Sequence, residues 1–209
     1  MGKKRKKVRY KLDTGNVTNL PDEDIKAILR AADEIIATGG RNMLAKILKG
    51  SKEKKLLEYG LDQCPVYGYY KMLKLEEIMA RVDWIIVQGY LDIKYSGRLP
   101  MIVFTEKGWE IERDTYSDEL LQHLRGSLSN GDFSFVHELK DRNRGMILLL
   151  LNKIEQTGDK GFIPLLKAWQ QIEYRKVRAE IQRVINSLNS TKVIRIDFKR
   201  KSRRRRTES

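Results

Sequence analysis

The stretch GYLDIKYSGRLPMIVFTEKGWEI, residues 89–111, decides the fold. Two apolar runs flank a polar tip, Tyr95-Ser96-Gly97-Arg98. Ser96-Gly97 supplies a turn, and the pattern predicts a hairpin with strands at about 90–95 and about 101–105. Pro100 falls where the second strand begins, a place where a missing N–H is tolerated. Thr105 is placed to cap a helix that opens Glu106-Lys107-Gly108-Trp109.

The residues before the hairpin read as helices. Pro21-Asp22-Glu23 marks a start, its acids near the positive end of the helix dipole. Ile25, Ile28, Leu29, Ala32, Ile35 and Ile36 then recur at helical spacing until Gly39-Gly40. A short helix follows at about 41–48, and Lys49-Gly50-Ser51 breaks it. Ser51 is read as the cap of the next helix, KEKKLLEYG. After a loop from Asp62 to Lys71, the stripe Leu75, Ile78, Met79, Val82, Ile85 and Ile86 predicts a helix that Gly89 stops. Several helices running into a hairpin describe a winged helix, a relative of the helix-turn-helix. Trp84 and Trp109 sit at apolar periodic positions and are read as core.

The last third reads as helical. Leu120, Leu121, Leu124 and Leu128 predict a helix over 117–128 that SNGD breaks, and further helices follow at about 134–141, 145–157, 162–172 and 174–189. KVIRIDF alternates from Ile194 to Phe198 and predicts a short strand. The fold class is therefore α+β, mostly α: a winged helix-turn-helix domain with a β-hairpin wing, then a small α-helical subdomain. The expected divisions are a basic disordered tail at 1–19, the winged helix at 20–114, the helical subdomain at 115–198 and a second basic tail at 199–209.

Net charge is +14 over 209 residues, and its location matters more than its size. Residues 1–11 hold seven basic side chains and residues 199–206 hold seven more, neither with an acid. The span 12–198 carries 28 basic and 27 acidic residues. Lys3, Lys4, Arg5, Lys6 and Lys7, with Arg203, Arg204, Arg205 and Arg206, are read as non-specific phosphate contacts whose affinity is salt-sensitive. The alternative is a solubilising tail or a localisation signal. Within the core, residues 12–40 are acidic and 41–81 basic, a polarity that can orient the domain on a polyanion.

Other classes are disfavoured. The single Cys64 allows neither a disulfide framework nor a four-cysteine zinc site, so no metal is expected. The start, MGKKRKKVRY, has no apolar stretch of a secretory signal, and the longest apolar run, Met146 to Leu151, is too short to span a bilayer. No membrane role is expected, and the expected location is cytoplasmic, at the nucleoid. No GxxxxGK[ST] is present to cradle ATP phosphates. His123 and His137 fall in no triad or metal spacing, so no cofactor and no catalysis are expected.

Residues 39–93, from GGRNMLAKILKGSKEKK through GYLDI, followed by GRLPMIVFTEKG, resemble the RQC domain, the C-terminal winged helix of RecQ helicases. ILKGSKEKK is similar to a Leu-Arg-Gly-Ser segment of that family. YGLDQCPVYG is similar to a Gly-His-Asp stretch ending in Tyr-Gly, and GYL with FTEKG to the wing and its closing turn. The wider pattern, from LPDED through GWEIE and on through the C-terminal helices, resembles the small bacterial RQC-minor family of DNA-binding proteins. The resemblance implies backbone phosphate contact at Lys49, Ser51 and Lys55. Lys52 and Arg41 lie on the same basic side. It further implies a wing of Lys94, Tyr95 and Arg98 at a duplex end. Lys49 stands where the family has arginine, so a bidentate grip becomes a point charge. Leu61 stands where the family has histidine.

Tyr95 has two readings: stacking on an unpaired base, or packing across the hairpin against Pro100 or Leu99. Glu76, Glu77 and Asp83 are read as outward acids on the helix before the wing, which opposes deep insertion into a groove. Binding is thus expected to be led by phosphates and structure, with little base readout. FIPLLKAWQQIEYRKVRAEIQRVINSL is weakly similar to a HEAT-type helix pair, and Lys167, Arg175, Lys176, Arg178 and Arg183 extend a basic surface or merely a solvated one. The function expected is a non-catalytic protein that binds duplex ends, forks or other structured DNA in repair, recombination or replication. A separate helicase or other ATPase is its expected companion. The alternative is an RNA- or ribosome-associated protein.

Overall fold

The computed structural model describes residues 7–190. Lys3 to Lys6, Arg203 to Arg206 and the strand expected within KVIRIDF lie outside the described residues. The elements run α1 (Asp22–Asp33), α2 (Arg41–Lys49), α3 (Lys54–Glu58), α4 (Leu75–Val87), β1 (Leu91–Ser96), β2 (Leu99–Phe104) and α5 (Glu106–Asn130). Then come α6 (Arg144–Thr157), α7 (Ile163–Ile172) and α8 (Arg175–Ser190), with 3-10 turns at Leu61–Gln63, Ser134–Leu139 and Lys160–Phe162.

The wing is an antiparallel hairpin registered Leu91 to Phe104, Tyr95 to Pro100 and Ser96 to Leu99. Its second strand starts earlier than expected, at Leu99, so Pro100 lies inside it rather than at its start. A two-stranded sheet has only edges, and proline is tolerated there. The tight turn at Gly97, φ 60°, lets both strands pair to the tip.

Thr105 caps α5 as its position predicts, its Oγ1 accepting from the Gly108 N–H at 3.1 Å. The helix that opens there does not end near Trp109. It runs unbroken to Asn130 and absorbs the separate helix expected at 117–128, so residue 114 falls inside it. No proline or glycine pair interrupts this span, and Gly131 in the left-handed region closes it. Ser51 does not cap α3. That helix starts later, at Lys54, after an extended Glu53.

Two apolar clusters hold the chain. The first gathers Ile28 and Leu29 of α1, Leu44 and Leu48 of α2, Ile78, Val82 and Ile85 of α4, and Leu91 and Ile102 of the wing. Trp84 is buried there. The second gathers Leu124 of α5, Leu150 of α6, Phe162, Trp169 of α7 and Ile181 of α8, with half-buried Trp109 packed against it. Each fully buried Leu or Ile contributes roughly 1.5–3 kcal/mol. That is why short helices such as α2 are stable here when they would be marginal alone.

The two clusters meet along α1 and α5 across a buried polar joint. Arg30 of α1 is 5% exposed. Its Nε donates to Glu119 Oε2 at 2.8 Å and its Nη1 to Glu34 Oε1 at 2.7 Å. The Arg30 guanidinium lies 4.3 Å from the Tyr116 ring, and Arg142 lies 5.1 Å from the same ring. Glu112 is fully buried beside this joint, and neither of its carboxyl oxygens has a hydrogen-bond partner among the described residues. Burial, and after it the charge of Asp33, pushes the Glu112 carboxyl up to about 9.

Candidate nucleic-acid interface

The corner between α2 and α3 is built around a close backbone approach. Gly50 ends α2 in the left-handed region, φ 73°, which a side chain would strain. A Cβ there would also sit 3.0 Å from the Gly68 Cα. The loop that carries Gly68 is stitched to the end of α2. Gly68 N–H donates to Ile47 O at 2.9 Å, Tyr70 N–H to Leu48 O at 2.8 Å and Tyr67 Oη to Ser51 O at 2.9 Å.

Lys49 is part of that stitching. Its Nζ donates to the Lys71 and Leu73 carbonyls, both at 2.7 Å. Two of the three donors of this ammonium, at a position where the family resemblance implies a phosphate contact, are therefore spent inside the protein. Ser51 donates its N–H to Lys46 O, and its hydroxyl makes no hydrogen bond among the described residues. Lys46 pairs with Glu53, and Lys54 with Glu58 at 3.6 Å. Lys52 and Lys55 stand exposed without an ion pair among the described residues. Lys55 Nζ lies 5.8 Å from the ring of Tyr59, itself 63% exposed. A cleft of about 260 Å³ lined by Asn42, Met43, Lys46, Glu53 and Lys55 opens beside them.

Arg41 is not a free cation. It pairs with Asp83, which is 3% exposed and also accepts from the Asp13 N–H at 2.8 Å. Asp83 was expected on the outer face of α4; it is buried, because that turn of α4 packs under α2 and the chain before α1. The outer face thus keeps Glu76 and Glu77, with Glu77 accepting from the Lys74 N–H at 2.8 Å. Arg81 of the same helix donates to the Glu77 carbonyl at 2.9 Å.

The wing tip is not bare. Residues 7–19, expected to be a free tail, run along the hairpin and then under α4. Val8 N–H donates to Arg98 O at 3.0 Å, and Tyr95 Oη donates to Val8 O at 2.7 Å. Lys7 Nζ lies 4.6 Å from the Tyr95 ring, and the Tyr10 ring stands 6.2 Å from it. Arg41 reaches to 5.5 Å from the Tyr10 ring, so the arm, wing and α2 share one cation–aromatic cluster. Tyr95 is half-buried beneath this arm, while Lys94 and Arg98 remain exposed. The alternation of Val8 and Tyr10 among cations was the one sequence signal for the arm, and the density of charge hid it.

The geometry is that of a winged helix whose cations gather at the α2–α3 corner and along the arm and wing. Residues 21–120 match the family model described as the RQC domain. This segment is an RQC domain. Over 101 aligned residues the chain is 28% identical to the ATP-dependent DNA helicase RecQ of Bacillus subtilis (strain 168), covering 41% of this chain and 17% of that protein. The chain thus spans less than a fifth of the relative it matches. No solved structure matches. The α2–α3 corner, the loop that carries Gly68, and the start of the wing with its Thr105-capped closing turn are the segments whose residues resemble the family in sequence. Among the described residues, no group of three or more His, Cys, Asp or Glu side chains is placed to hold a metal ion. None of the described helices is long and apolar enough to cross a membrane.

The arm carries its own prediction. A hydrogen bond and a cation–aromatic contact together hold it by about 1–2 kcal/mol. Tyr95→Ala is therefore expected to speed tryptic cleavage after Lys7 and Arg9 by roughly tenfold, since about 1.4 kcal/mol is a factor of ten. Unchanged cleavage would mean the arm is held elsewhere, and the Asp13–Asp83 contact would become the anchor.

Proposed function

We propose that this protein is a non-catalytic DNA-binding protein that recognises duplex ends, forks or other structured DNA through its RQC domain. It works in repair, recombination or replication, in the cytoplasm at the nucleoid, beside a separate helicase or other ATPase. The observation that carries this reading is the α2–α3 corner, where Lys52 and Lys55 stand exposed without an ion pair among the described residues, next to a stitched turn and the exposed ring of Tyr59. Two exposed cations on one corner suit two backbone phosphates. The acidic outer face of α4 argues against groove insertion, so recognition is led by the backbone and not by base edges. The wing contributes Lys94 and Arg98, with Tyr95 and Tyr10 as an aromatic pair close by.

The test is a titration of the protein with blunt, forked and single-stranded DNA and with duplex RNA, each over a salt series. Forked or blunt duplex DNA is expected to bind more tightly than duplex RNA. Replacing Lys52 and Lys55 with Ala is expected to weaken all duplexes about equally and to reduce the salt slope by about 2. An unchanged slope removes the corner from the interface. Tighter binding to RNA turns the reading to an RNA- or ribosome-associated protein.

A further inference from the structure

The second apolar cluster carries a basic cleft that the RQC domain does not include. It has a volume of about 550 Å³ and is lined by Lys140, Arg142, Arg144 and Ile147 on one side and by Glu173 to Val177 on the other. Five cations face two carboxylates. One of these, Glu173, is 3% exposed and already accepts from Trp169 Nε1 at 2.8 Å and from the Tyr174 N–H at 3.1 Å. The other, Asp141, lies 3.4 Å from the Tyr174 hydroxyl.

Lys140, Arg144, Arg175 and Lys176 are exposed, and none of them makes an ion pair among the described residues. Their placement is electrostatically unfavourable in the free protein. Arg144 opens α6, Arg175 and Lys176 open α8, and neither first turn contains an acid. Cations at the positive end of a helix dipole repel it. An anion in the cleft would relieve both repulsions at once. Tyr174 stands at the same mouth, 61% exposed, with Lys140 Nζ 5.4 Å from its ring. A solvated aromatic ring ringed by unpaired cations suits a base on its face and phosphates around it.

We propose that the cleft between the N-termini of α6 and α8 binds single-stranded nucleic acid, with Tyr174 stacking on a base and Lys140, Arg144, Arg175 and Lys176 holding the backbone. The site lies outside the RQC domain and does not depend on what that domain binds. Arg142 connects the two regions: it lines the cleft, and its guanidinium lies over the Tyr116 ring at the joint to α1.

The test uses the full chain and four probes: a blunt duplex, the same duplex with a single-stranded extension, and free single-stranded DNA and RNA of matched sequence. Tyr174→Ala is expected to lower affinity for the extended and free single strands about tenfold and to leave the blunt duplex unaffected. Tyr174→Phe keeps the ring and retains the affinity. A variant with Lys140, Arg144, Arg175 and Lys176 all replaced by Ser loses the same binding, with helicity checked by circular dichroism. Single-strand affinity unchanged in both the Ala and the Ser variants overturns the proposal. Equal losses on blunt duplex and single strand overturn it too, because they place the cleft in general phosphate binding. The Lys52 and Lys55 variant separates the two sites: if both readings hold, it lowers affinity for both duplex probes and leaves the free single strands unaffected. If single strands bind through Tyr174 while no duplex binds, the duplex reading fails and the cleft stands.

Discussion

Glu112→Met is expected to stabilise the protein, and by more at pH 8 than at pH 5. Glu112 is fully buried in α5, and among the described residues both of its carboxyl oxygens lack partners. An ionised carboxylate there would be a buried charge facing Asp33, so the folded protein keeps the group protonated up to about 9. In the unfolded chain it ionises near 4.5. Folding at neutral pH therefore takes up a proton. The stability that depends on neutral Glu112 is complete below about 4.5 and is lost progressively as pH rises to about 9, at roughly 1.4 kcal/mol per pH unit. By pH 7 the loss is on the order of 3 kcal/mol. Methionine has a similar length, no charge and no unpaired oxygens, so it removes this cost. Urea unfolding of both proteins from pH 5 to pH 8 measures it. Parallel stability profiles for the two would show that water or a cation reaches Glu112 and that it is not neutral.

Gly108→Ala should act in the opposite direction, destabilising the protein by roughly 3 kcal/mol or more through overpacking. Gly108 lies in the first turn of α5, where Tyr90 enters the wing. Thr105 holds both chains: its Oγ1 donates to Gly89 O at 2.7 Å, and its N–H to Tyr90 O at 3.2 Å. A Cβ on Gly108 would overlap the Tyr90 carbonyl oxygen. Backbone cannot step aside as a long side chain can, so the wing or the helix must shift. Gly126→Ala in the same helix is the control. Among the described residues nothing lies within 4 Å of a Cβ there, so alanine should stabilise by roughly 0.5–1 kcal/mol. Chemical denaturation of the two variants should give opposite signs. If Gly108→Ala is neutral, the wing is not anchored through this contact.

Both predictions rest on residues whose importance the sequence only partly discloses. FTEKG, residues 104–108, marks the closing turn, and Thr105 is legible as a cap. That Gly108 must lack a side chain depends on where Tyr90 passes, which no local pattern encodes. Glu112 reads as one more polar residue in a charged helix. Only the packing of α5 against α1 turns it into a buried acid. Asp83 is the same kind of case: by spacing it belongs to the outer face of α4, yet Arg41 and the Asp13 N–H draw it inside.

The candidate site divides along the same line. The basic character of residues 41–81 is plain in the sequence, but which lysines are free is not. At the α2–α3 corner Lys49 is spent on two carbonyls, Lys46 on Glu53 and Lys54 on Glu58, which leaves Lys52 and Lys55 there without an ion pair among the described residues. The cleft at Tyr174 combines residues 140–147 with 173–177, two segments about thirty residues apart whose charges look scattered in the chain.

By itself the sequence determined the order of the helices before the wing, the hairpin, the cap at Thr105 and the RQC resemblance. These follow from local periodicity, turn chemistry and motif spacing, each expressed within a few neighbouring residues. Only the tertiary structure decided which ionisable groups are paired, buried or free, and where the chain before α1 lies. Those outcomes depend on residues distant in sequence meeting at 3 Å, because pairing and desolvation are properties of neighbours in space.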